Sequence, residues 1–89
     1  MNKYIINVVP QEDSPYNPMH EIVQDKEAVV LEAEIGERGW IAYKLEDDIQ
    51  TPWHRLHTSI IKNVRENDFQ IAITTENTLY TLVKVGDEE

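Results

Sequence analysis

The chain has 89 residues, eight Lys and Arg against seventeen Asp and Glu for a formal net charge of −9, 40% hydrophobic residues and no cysteine. That length holds one hydrophobic core and excludes two domains, and the absence of cysteine excludes disulfides, thiolate metal sites and a cysteine nucleophile. The acid surplus argues against direct nucleic-acid binding, which draws its affinity from Lys and Arg neutralising phosphates.

Residues 3–9 alternate Tyr4, Ile6 and Val8 against Ile5, Asn7 and Val9 and run into Pro10, which reads as a short strand ended by proline. Residues 10–18 hold three prolines among polar groups and no apolar period, so they read as a mobile loop. Residues 19–35 carry two patterns. Asn17-Pro18 looks like a helix start, and Met19, Ile22 and Val23 follow a helical face. Val29, Leu31, Ala33 and Ile35 instead alternate with Val30, Glu32 and Glu34. We read a turn of helix over 19–24, then a hairpin in which Gly36 and Gly39 supply positive φ before a second extended run from Trp40 to Leu45.

Thr51-Pro52 resembles an N-cap followed by proline at the first helical position, so residues 51–56 are expected to form one helical turn. Three β-rich runs follow, over 58–65, 69–75 and 78–85, separated by Asn67-Asp68 and Glu76-Asn77. Phe69, Ile71 and Ile73 share one parity, as a strand with one buried face requires, whereas the last run is apolar on both faces. Residues 86–89 are expected to fray. The whole is a single acidic domain over 1–89: a small antiparallel five- to six-stranded barrel or strongly curved sheet with one or two short helical turns, since a flat sheet of this size leaves its edges unpaired.

The densest cluster of functional groups is Trp53, His54, Arg55, His57 and Ser59. On a helix His54 and His57 would face the same way, toward a metal or small ligand; as packing residues, Trp53 and Leu56 would plug one end of the barrel and Arg55 would meet a loop carboxylate. Neither Ser14 nor Ser59 has the glycine elbow of a nucleophile, and Gly36-Glu37-Arg38-Gly39 has the spacing of no nucleotide-binding loop. No catalytic motif and no cofactor is expected. Trp40 or Trp53, together with Tyr80, is expected in the core.

His57-Thr58-Ser59 with Ile60 and Val64, then Thr74-Thr75-Glu76-Asn77-Thr78-Leu79-Tyr80-Thr81-Leu82, is similar to the ending of many small uncharacterised β proteins of bacteria and their phages. The resemblance covers the last third of the chain and implies a hairpin and a bacterial or phage origin, with no activity attached. The residues supply their own reading: threonine favours strands, Asn77 suits a left-handed turn, and Tyr80 packs across the hairpin.

Three functions fit these features. The first is a non-enzymatic protein-interaction module that self-associates through a sheet face or edge. The second is an acidic inhibitor that occupies the basic nucleic-acid groove of a partner, with Glu32, Glu34, Glu37, Glu46, Asp47 and Asp48 as its surface. The third is a small-ligand binder or enzyme built on Trp53, His54, Arg55, His57 and Ser59. No apolar run approaches the roughly 18–20 residues that span a bilayer, and residues 1–10 are too short and polar for a signal peptide, so no membrane partner is expected and the cytoplasm is the expected location by elimination.

Overall fold

Isoleucine, valine, threonine and aromatic side chains fill the alternating runs of this chain, and such residues suit a pleated surface with one face covered. In the computed structural model, which describes residues 2–11, 17–45 and 49–87, they form six strands and one short helix. The order is β1 (Asn2–Pro10), α1 (Pro18–Val23), β2 (Glu27–Glu32), β3 (Arg38–Lys44), β4 (Trp53–Glu66), β5 (Gln70–Thr75) and β6 (Thr78–Asp87). Each strand pairs antiparallel with the next, and β6 returns to β1, so the sheet is a closed barrel. Closure solves the edge problem that an open sheet of this size would face.

Every element supplies a side chain to the interior: Ile6, Val23, Ala28, Ile41, Ile61, Ile73 and Leu82 are buried, with Tyr4, Tyr43, Leu56 and Tyr80 around them. Ile71 and Ile73 point inward on β5 as their parity predicts, whereas Phe69, expected on the same buried face, precedes the strand and is 75% exposed; Tyr80 sits opposite Ile73 and is buried. Helix α1 begins where Asn17 and Pro18 predict. The Asn17 Oδ1 accepts from the Met19 N–H at 2.9 Å, and Val23, with no exposed surface, stoppers the barrel. Beyond it, Gln24 acts as a strand residue would. Its Oε1 accepts the Val8 N–H at 2.8 Å and its Nε2 donates to Asn7 Oδ1 and Asp25 Oδ1, while Asp25 turns the chain at φ 64°.

Several expectations are corrected. Residues 51–56 form no helical turn. The Leu45 N–H donates to the Pro52 C=O at 2.7 Å, which draws Pro52 alongside β3, and Trp53 begins β4 already paired with Lys44. A single helical turn fixes several residues for little hydrogen bonding, so ladder pairing wins. Trp53 consequently lies on the outer surface, 38% exposed, and plugs nothing. Gly36 does take a positive φ of 90°, but Gly39 does not. Gly39 is buried because the flanking strands β2 and β4 crowd it: a Cβ there would lie 2.8 Å from the Glu32 carbonyl O and 2.8 Å from Ile61 Cδ1. Asn77 has no positive φ either; the β5–β6 turn is closed by Thr75, whose Oγ1 accepts the Thr78 N–H and donates to the Thr78 C=O. Gly86 and Asp87 continue β6 opposite Lys3 and Asn2 and do not fray, whereas residues 88–89, and the 12–16 stretch expected to be mobile, lie outside the described residues.

β4 is long because it serves two neighbours in turn. Its first part, Trp53 to Ile60, pairs with β3, and its last part, Ile61 to Glu66, pairs with β5. Register shifts mark the change on both sides, between Arg38 and Trp40 and between Ile61 and Asn63. Bulges of this kind bend a strand and increase its twist, which is how six short strands turn the corners of a closed barrel.

Candidate interaction site on β3 and β4

Strand parity sorts the cluster of residues 53–59. Trp53, Arg55 and His57 are exposed on the outer surface, while His54, Leu56 and Thr58 turn inward. His54 and His57 therefore lie on opposite faces of the sheet, and among the described residues no three His, Asp or Glu side chains converge on a metal position. Inside, the His54 ring stacks 5.8 Å from that of Tyr43, whose hydroxyl is shifted to higher pKa by burial. Ser59 is half-buried at the bend, and its C=O accepts the Thr58 hydroxyl at 2.8 Å. The same Thr58 Oγ1 accepts the Gly39 N–H at 2.8 Å, which pins β3 to β4 at their closest approach.

On the outer surface Trp40 of β3 lies directly opposite His57, and the two rings stack in parallel with centroids 3.9 Å apart. Ala42 faces Arg55 and Lys44 faces Trp53. At the margin Arg38 Nε donates to the Thr58 C=O at 3.1 Å, and Lys44 Nζ approaches Glu27 at 4.0 Å, a carboxylate that Lys3 holds at 3.3 Å from the other side. The result is a sheet face of two tryptophans, an imidazole and cations.

Topology also gathers charge that the sequence scatters. β3 and β4 carry Arg38, Lys44, Arg55, Lys62 and Arg65, five of the eight basic residues, against Glu66 alone of the seventeen acidic ones. Glu32, Glu34 and Glu37 are exposed around the β2–β3 turn. Glu46, Asp47 and Asp48 lie outside the described residues, and Leu45 and Pro52, which bracket them, sit at the opposite end of β3 from that turn. Sequence reasoning missed Ala42 and Lys44 as companions of the cluster, because their place beside it follows only once residues 53–57 are strand.

The backbone completes the site. Leu45 and Pro52 are a hydrogen-bonded pair, so in an antiparallel ladder the next such pairs are Tyr43 with His54 and Ile41 with Leu56. The N–H and C=O groups of Trp53, Arg55 and His57 then point away from β3. On that side β5 reaches only as far as Ile61, with the Glu76 N–H bonding the Ile60 C=O at 3.1 Å. Among the described residues nothing pairs with the outer edge of β4 at these three positions. No family model, curated protein or solved structure matches the chain. The site is therefore read from its own geometry.

Proposed function

We propose that the protein is a non-enzymatic protein-interaction module that works through the β3–β4 face and the open edge beside it. The observation that carries the reading is that, among the described residues, nothing pairs with the side of β4 away from β3 at Trp53, Arg55 and His57. An exposed strand edge is a row of unmet donors and acceptors ready to bind another chain, and the aromatic and guanidinium groups next to it belong to the residue types that dominate protein contacts. Residue-resolved hydrogen exchange tests the premise. The Arg55 and His57 amides should exchange much faster than the Leu56 amide between them, and equal protection of all three would remove the edge on which the reading depends.

Self-association has its own supporting observation. Ile5, Val83 and Gln70 lie side by side across β1, β6 and β5, and Phe69 (75% exposed), Val83 and Val85 leave a patch of apolar surface there. The two faces of a symmetric dimer would each bring this same patch. Sedimentation should show a concentration-dependent dimer that Val83→Glu abolishes; a clean monomer at millimolar concentration ends this part of the reading.

A further inference from the structure

Resting on the reading of β4 as a contact edge, we propose that this edge receives an extended, acidic segment of a partner protein as an added strand. Three features fix that choice of occupant. The outward N–H and C=O groups of Trp53, Arg55 and His57 follow strand spacing, so they match another strand and not a helix or a compact surface. The side chains flanking the edge on the outer surface are Trp53, Arg55 and His57, with Lys44 of β3 opposite Trp53, so the middle of an incoming strand meets the positive charge of Arg55 between two aromatic rings. A carboxylate opposite Arg55 is the complementary cross-strand partner.

The same features disfavour the other occupants. Two copies pairing antiparallel about Arg55 would set that guanidinium against its own counterpart, with like charges directly opposite, and would bring together two molecules of net charge −9. A single-stranded nucleic acid would find the tryptophan and imidazole rings but would meet the same overall negative field. An acidic peptide meets that field too, yet it gains main-chain hydrogen bonds that a sugar–phosphate backbone cannot supply.

The experiment uses the whole chain with three synthetic heptapeptides: Thr-Glu-Val-Glu-Val-Glu-Thr, its lysine counterpart, and the acidic sequence with proline at the centre. Amide exchange is followed at Arg55 and His57. The acidic peptide should slow both amides at least about tenfold at saturation, the proline version should not, and raising salt should weaken the effect. Arg55→Glu should weaken the acidic peptide at least about fivefold and favour the lysine one, and Arg55→Gln should fall between. Equal protection by the lysine peptide overturns the acidic specificity while leaving the contact edge standing. Protection that grows with protein concentration alone assigns the edge to a second copy, and protection by an oligothymidylate assigns it to nucleic acid; each overturns the proposal. Slow exchange of both amides in the free protein overturns the proposal and the underlying reading together.

Discussion

Gly39→Ala should be among the most damaging single-methyl additions this barrel can receive. The added Cβ would stand 2.8 Å from the Glu32 carbonyl O and from Ile61 Cδ1, and 3.3 Å from Thr58 Oγ1, where ordinary contact begins at 3.4 Å. The Glu32 oxygen belongs to the backbone of β2, and Ile61 is 1% exposed with no room to rotate away. Roughly 0.6 Å of separation must therefore come from the strands themselves, at the point where both ladders of β3 already shift register. Overpacking of this kind costs about 2–3 kcal/mol, a large share of the roughly 4–13 kcal/mol expected for a domain of this length. With a urea m-value of about 1 kcal/mol/M the unfolding midpoint should fall by about 2–3 M. Gly36→Ala is the control: nothing lies within 4 Å, and only the φ of 90° opposes a side chain, at a cost of about 1–2 kcal/mol. Equilibrium unfolding of the three proteins decides the matter. If Gly39→Ala unfolds within about 0.5 kcal/mol of the parent, or costs less than Gly36→Ala, the close-approach account of Gly39 is wrong.

The stacked pair Trp40 and His57 should show a coupling of about 0.5–1.5 kcal/mol in a double-mutant cycle of Trp40→Ala and His57→Ala, and strict additivity would count against the stack. Gln24→Ala leaves the Val8 N–H without its acceptor and should cost about 1–2 kcal/mol while accelerating exchange of the Val8 amide; an unchanged Val8 amide contradicts the strand-like role of Gln24. His20 bonds Thr78 Oγ1 at 2.9 Å and meets the edge of Tyr80, and burial holds its imidazole below the usual pKa. The unfolded chain therefore binds the proton more readily. The His20 contribution is complete above the unfolded value of about 6.5 and is lost as the pH falls through the folded value. Comparing urea midpoints of the parent and His20→Gln at pH 7.5 and 5, the advantage of the parent should shrink at the lower pH; an advantage that grows there refutes the sign.

Particular residues show what was readable before folding and what was not. The inward parity of Ile71 and Ile73, the Asn17-Pro18 helix start and the Gly36 turn are local signals, and each is realised. Thr51-Pro52 is an equally good local signal that fails, because the competing bond from the Leu45 N–H comes from a residue seven positions away whose alignment no local pattern encodes. Gly39 invited a turn assignment, since a glycine needed for positive φ and one needed for space look alike in sequence. The site suffered most from this. Lys44 and Arg55 are eleven positions apart in the chain, and only the pairing of β3 with β4, which sets Lys44 opposite Trp53 and Ala42 opposite Arg55, brings them to one patch of the sheet. The acid surplus points toward a basic partner, whereas the charge gathered around the open edge has the opposite sign.

The pairing of β1 with β6 sets the order of events when the chain is made. β1 shares only two register positions with β2, Tyr4 with Ala28 and Ile5 with Glu27, but nine with β6, from Asn2 with Asp87 to Pro10 with Thr78. Of these six strands the earliest made, β1, thus waits for β6, some 75 residues later, which at roughly 5–20 residues per second is about 4–15 s. Until then the hairpins of β2 to β5 can form while Ile5, Ile6 and Val8 remain without their main partner, a long-range closure of the kind that slows β-rich folding. The nascent chain therefore passes through an interval in which β1 lacks nine of its register partners, and binding by a chaperone in that interval would fall on residues 2–10.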